Sequence, residues 1–226
     1  MHLVRERFSS LSYGAVRAVS NLCAALILLA SAASAETVIA ALGDSLTQGF
    51  GLPPEQGFVS QLQGWLDENG ADVRLINAGV SGDTTAGGLA RIGWTLSDEV
   101  DGLIVALGGN DVLRGIAPEE ARSNLDGILK AAADQDLPVL LVGISAPGNY
   151  GPEYKTSFEA IYPRLASEHG ALLYPDFLAA ISSDTARALA EWMQADSIHP
   201  NGTGVARIVE AIGPRVLKLI EAAETR

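Results

Sequence analysis

The chain has almost no cysteine: Cys23 is the only one, and it lies near the N-terminus. No disulfide framework is therefore expected, and stability must come from packing. Basic charge is also scarce, with 15 Lys and Arg against 27 Asp and Glu and a net charge of −12 at pH 7. A field of that sign repels polyanions, so nucleic acid is not expected as a partner and strongly anionic substrates are disfavoured. Internal repeats and low-complexity segments are absent after residue 35.

What stands at the N-terminus has three parts. Arg5, Arg7 and Arg17 come first, then the apolar run Leu22–Ala30, then Ala33-Ser34-Ala35 before Glu36. That is the pattern of a cleaved secretory leader, and the apolar run falls far short of the roughly 20 residues that span a bilayer. Ser20-Asn21-Leu22 ahead of Cys23 lack the small residue that a lipoprotein cleavage site carries, so no lipid anchor is expected. The expectation is a leader over residues 1–35, an exported protein, and one domain over residues 36–226 with a full hydrophobic core. Nothing calls for more than a monomer.

From Thr37 onward, short β-branched or leucine-rich runs alternate with amphipathic stretches, the pattern of a parallel sheet covered by helices. Strands are predicted at Thr37–Leu42, Val73–Asn77, Gly102–Leu107, Pro138–Ile144 and Ala171–Tyr174. Helices are predicted at Gly57–Asn69, Thr85–Leu96, Pro118–Gln135, Glu153–His169 and Thr203–Ala223. Three strands run straight into polar, glycine-rich turns: Gly43-Asp44-Ser45-Leu46-Thr47, Ala78-Gly79-Val80-Ser81-Gly82-Asp83-Thr84 and Gly108-Gly109-Asn110-Asp111. In an open parallel sheet the carboxyl ends of the strands share one edge, where ligands bind.

Ser45 opens the first of these turns. A serine hydroxyl is a poor nucleophile until a base takes its proton, so the chemistry needs an imidazole and a group that holds its tautomer. Outside the leader there are two histidines, His169 and His199. His169 ends an amphipathic helix with a glycine stop, where a histidine faces the last carbonyls. His199 sits in Asp196-Ser197-Ile198-His199-Pro200, a turn that Pro200 keeps out of helical geometry, with Asp196 within reach of the ring. Each half also has a plain reading: Ser45 as an N-cap, Asp196 as a cap beside an incidental histidine. The Gly-x-Ser-x-Gly elbow is absent, since Thr47 stands where the second glycine would be. Gly82 can bring its backbone N–H close to a substrate, and Asn110 can offer an amide; read separately, both are turn residues. Together with Ser45 they supply three donors for a tetrahedral oxyanion from three strand ends.

These blocks, Gly43-Asp44-Ser45-Leu46, Ser81-Gly82-Asp83-Thr84, Gly108-Gly109-Asn110-Asp111 and Asp196-x-x-His199-Pro200, resemble in order the four blocks of the SGNH (GDSL) hydrolases. The likeness covers essentially all of residues 36–226. Gly88-Leu89-Ala90-Arg91, Asn149-Tyr150-Gly151, Ile161-Tyr162-Pro163 and Trp192-Met193-Gln194 are similar to the multifunctional thioesterase I/arylesterase/lysophospholipase branch. The resemblance implies an α/β three-layer flavodoxin-like sandwich with a five-stranded parallel sheet in order 2-1-3-4-5, and neither metal nor cofactor. It implies Ser45 as nucleophile, His199 as base and then acid, Asp196 as orienter, and the Ser45 N–H, the Gly82 N–H and the Asn110 side chain as oxyanion donors. It also implies a mobile loop after the asparagine, here Asp111–Pro118, and Val112 and the Pro147-Gly148-Asn149 turn are departures that bear on the acyl pocket.

The function expected is a serine esterase that forms an acyl-enzyme on short to medium acyl esters, with arylesterase, thioesterase and lysophospholipase activities overlapping. A carbohydrate or cell-wall O-acetylesterase on the same fold is the alternative enzyme, and a binding domain without turnover is the alternative class. The partner expected is a small or lipid-like ester.

Overall fold

The computed structural model describes residues 36–182 and 191–226. The predicted leader over residues 1–35 lies outside the described residues. Five strands, β1 (Thr37–Gly43), β2 (Val73–Gly79), β3 (Gly102–Ala106), β4 (Val139–Val142) and β5 (Leu172–Tyr174), form one parallel sheet in the order β2-β1-β3-β4-β5. That is the order expected. All seven residues of β1 are buried, because a strand in the middle of a parallel sheet has helices on both faces. Registers such as Ile39 opposite Leu75 and Gly102 bring the carboxyl ends of β1, β2 and β3 level, so the turns that follow them share one edge.

The helices form by burying one stripe each. In the helix Pro118–Ala133, Ala121, Leu125, Ile128, Leu129 and Ala132 recur at helical spacing and are buried. It packs against helices Thr85–Thr95 and Ile161–His169 as one layer, while helices Phe58–Glu68 and Gly202–Glu224 pack together as the other. Leu125 is fully buried, and Leu125→Ala at such a site costs about 2–5 kcal/mol through lost burial and the cavity left behind. The last helix begins at Asn201, whose side chain accepts from the Thr203 and Gly204 N–H groups at 3.1 and 3.0 Å.

Two features depart from the pattern expected. The stretch predicted as one helix over Glu153–His169 is two, Pro152–Glu159 and Ile161–His169. Pro163 has no N–H to give Glu159 and its ring crowds that carbonyl, so the ladder is interrupted at Ala160 and Pro163 falls in the first turn of the second helix. The turn at Gly108–Asp111 is part of a short helix, Gly109–Leu113, and hydrogen bonds reach Asp111 within it and Ile116 after it. Asp111 is fully buried, its carboxylate accepting from the Thr85 N–H at 2.9 Å and Thr85 Oγ1 at 2.6 Å. Tyr154 Oη donates to the Ile116 carbonyl at 2.8 Å.

Candidate active site

Ser45 begins a single helical turn, Ser45–Gln48, at the end of β1. Asp44 caps that turn, its Oδ1 accepting from the Leu46 N–H at 3.0 Å. Gly43 must be glycine, since a Cβ there would stand 2.0 Å from Thr47 Oγ1. The close approach of β1 to the turn throws the Ser45 side chain up at the sheet edge.

His199 arrives from a short ladder. The Gln194 N–H donates to the His199 carbonyl at 2.8 Å and the Asn201 N–H to the Trp192 carbonyl at 2.8 Å, with Met193 paired to Pro200. At the tip, Ser197 takes a positive φ of 56°. The turn folds Asp196 back on the histidine. Its Oδ2 lies 2.7 Å from His199 Nδ1, and its Oδ1 accepts from the Ile198 and His199 N–H groups at 2.9 and 3.0 Å. These bonds, the His199 N–H first and the imidazole next, hold the Asp196 carboxyl down to about 2. On the other side of the ring, Nε2 lies 2.8 Å from Ser45 Oγ. With Nδ1 donating to Asp196, Nε2 is the acceptor, which is the tautomer that can take a proton from the hydroxyl. Phe50 covers the imidazole, ring centroids 4.8 Å apart. Gln194 Nε2 donates to the Phe50 carbonyl at 2.8 Å and so ties the histidine turn to the serine loop.

The other two residues face the same space. Gly82 has φ 81°, a backbone that favours glycine, and among the described residues neither its N–H nor that of Ser45 has a protein acceptor. Asn110 Nδ2 donates to Asp44 Oδ2 at 3.3 Å. Ser45, Gly82, Asn110 and His199 line one cleft of about 430 Å³, walled by apolar side chains including Leu46, Phe50, Val112, Leu113, Ile144 and Ile198. Asp196 stands behind the imidazole. A carbonyl placed over Ser45 Oγ would meet a nucleophile with a base on one side, two backbone N–H groups without a protein acceptor, and the Asn110 amide, one of whose N–H groups is shared with Asp44; that is the arrangement acyl transfer requires.

Three supports were not legible. Asp44 is buried, and burial pushes its carboxyl up to about 6 against the hydrogen bonds that favour the charge. Its place directly before Ser45 marks it as a cap; nothing local reveals the bond to Asn110. Arg91 donates from Nε to Asp83 Oδ2 at 2.7 Å, from Nη1 to the Ala78 carbonyl at 2.8 Å and from Nη2 to the Gly43 carbonyl at 2.9 Å. One guanidinium thus joins the ends of β1 and β2 to the loop that carries Gly82. Asn124 completes the support under Asp111 by donating to Thr85 Oγ1 at 3.1 Å.

His169 stands apart from the cleft with Asp126, 2.8 Å from Nε2, near Glu168. Those three carry metal-ligand types, but Lys130 and Arg122 already hold the two carboxylates at 2.6 Å each. The group is a polar network at the helix end, and His169 meets the Asp126 carboxylate of the neighbouring helix where a contact with its own last carbonyls was expected.

A model of the GDSL-like lipase/acylhydrolase family matches residues 41–207. The chain is 40% identical over 199 residues to esterase TesA of Pseudomonas aeruginosa, covering 88% of this chain and 96% of that one. It is 36% identical over 177 residues to thioesterase 1/protease 1/lysophospholipase L1 of Escherichia coli K12, covering 78% and 81%. Among solved structures, AlinE4, an SGNH-hydrolase family esterase, is 44% identical and covers 81% of this chain and 96% of its own, with a TM-score of 0.67.

Proposed function

Because the chain belongs to the GDSL-like lipase/acylhydrolase family and is an ester hydrolase, we propose that Ser45, His199 and Asp196 carry its reaction. Ser45 Oγ attacks the ester carbonyl as His199 takes its proton. Asp196 keeps the imidazole in the accepting tautomer and stabilises the imidazolium. The Ser45 and Gly82 N–H groups and the Asn110 amide receive the oxyanion. His199 then protonates the departing alcohol, and water, activated by the same imidazole, releases the acyl group from Ser45. The observation that carries this reading is the unbroken line of Ser45 Oγ, His199 and Asp196, with contacts of 2.8 and 2.7 Å.

The substrates are short to medium acyl esters, with aryl esters, thioesters and lysophospholipids within range, as the names of its relatives, among them an arylesterase of Vibrio mimicus, suggest. An apolar cleft of about 430 Å³ supports chains longer than acetyl. Residues 36–226 form the hydrolase domain, and the leader pattern over residues 1–35 supports export. Among the described residues no helix is long and apolar enough to cross a membrane. The test is a short-chain p-nitrophenyl phosphonate with mass spectrometry of the product: one adduct on Ser45 is expected, and its absence overturns the assignment. Turnover of acetyl esters alone would instead indicate the O-acetylesterase.

A further inference from the structure

The cleft crosses the sheet edge one strand end at a time: Ser45 after β1, Asn110 after β3, Ile144 and Ser145 after β4, Asp176 after β5. Neighbouring strands lie about 4.8 Å apart, so three steps put Asp176 about 14 Å from Ser45, the reach of an extended acyl chain of about ten carbons. Between the two ends the walls are apolar, with Val112, Leu113, Ile144, Pro147 and Leu178. Beyond β3 the polar residues of the lining are Ser145, Asp176 and Ser182, and Asp176 is the charged one. Asp176 Oδ1 accepts from the Leu178 N–H at 3.3 Å; Oδ2 has no protein partner among the described residues.

A half-buried carboxylate with a free acceptor is comfortable while water reaches it. A methyl end pressed against it displaces that water and returns no hydrogen bond, whereas a hydroxyl end replaces the water with a charge-assisted bond. A carboxylate end adds repulsion between like charges.

We propose that Asp176 reads the far end of the acyl chain, so that among esters of about ten acyl carbons the enzyme prefers those ending in a hydroxyl to those ending in a methyl, and disfavours those ending in a carboxylate. This rests on the acyl-ester reading above. It makes Asp176 a specificity-determining residue for hydroxyacyl esters, remote from the bond that breaks.

The experiment compares kcat/KM for p-nitrophenyl decanoate, ω-hydroxydecanoate and the decanedioate monoester, with the butyrate as reference. The unaltered enzyme should favour the hydroxyl ending over the methyl ending by about tenfold, the size of one charge-assisted hydrogen bond in a half-open site, with the carboxylate ending lowest. Asp176→Leu should invert the first preference. Asp176→Asn keeps an acceptor for the Leu178 N–H and should raise the carboxylate-ended ester relative to the methyl-ended one, so it decides the matter should the leucine variant not fold. Equal rates on hydroxyl and methyl endings, or a preference that survives both substitutions, would overturn the inference while butyrate turnover leaves the ester hydrolase standing. No turnover of butyrate would overturn both.

Discussion

Asn110 Nδ2 donates to Asp44 Oδ2 across 3.3 Å, joining the second residue of the short helix after β3 to the cap of the serine turn after β1. One N–H of the amide is thereby used for positioning, and the other is left for the cleft. Asn110→Ala should cut kcat by about 10² to 10³, the usual effect of an oxyanion donor. Asp44→Ala leaves the donor in place but unaimed, and should lower kcat by about tenfold with KM little changed. Steady-state kinetics on p-nitrophenyl butyrate checks both, and a pure KM effect in either would count against the assignment.

Asp44 also makes stability depend on pH in an unusual direction. Burial raises its carboxyl to about 6, whereas an unfolded Asp titrates near about 3.9. Between these values the folded chain holds a proton that the unfolded chain has released, so Asp44 favours folding below this window and loses that contribution as pH rises through it. The Tm of the unaltered protein minus that of Asp44→Asn should be larger at about pH 4 than at about pH 7. Calorimetry at the two pH values reads the difference, and a flat or reversed one contradicts the assignment.

Asp196 behaves oppositely, since its bonds to the His199 turn hold the carboxyl down to about 2. It stays charged across the range in which the folded Asp44 titrates, so Asp196 itself should add no step to the acid limb of the pH–rate profile. Its pairing supports the fold above about pH 4 and is lost only as pH falls toward about 2. Asp196→Asn should reduce kcat by about 10³ to 10⁴ through the wrong tautomer. An Asp196→Asn rate close to that of the unaltered enzyme would count against Asp196 as the orienter.

Ser45→Ala and His199→Ala should each remove turnover and leave the thermal transition near its place. Ser45 is half-buried at the sheet edge and the His199 side chain is 15% exposed, so neither substitution opens a hole in the core. Near-normal rates in Ser45→Ala would refute the mechanism.

Arg91 is predicted to matter through position alone. Arg91→Ala leaves the Asp83 carboxylate and two carbonyls without their donor, and should cost about 2–4 kcal/mol in urea unfolding together with a loss in kcat. Arg91→Lys should restore little of either, because one ammonium cannot span three acceptors held in a fork. Full recovery by lysine would show that charge alone is at work.

Much of this site could be read along the chain, for a reason visible in its parts. The Asp196–His199 contact closes over three residues, and Ser45 and Gly82 sit in turns that follow strands directly. Such features are local, and local residues write them. The single helix expected over residues 153–169 failed on Pro163, whose cost depends on position within the helix. Arg91 gave no signal of its own, since it reaches back 48 positions to Gly43, and the Asp44–Asn110 bond spans 66.

The sequence alone determined the alternation of strands and helices, the polar turns at three strand ends, and the short turn that aims Asp196 at its histidine. The tertiary structure decided what those turns do together. Ser45 and His199 are 154 positions apart, yet Oγ and Nε2 lie 2.8 Å from each other, and only the order of strands in the buried sheet and the packing of the last helix bring them there. Proximity at that range is a property of the packed core, and no spacing of residue types encodes it.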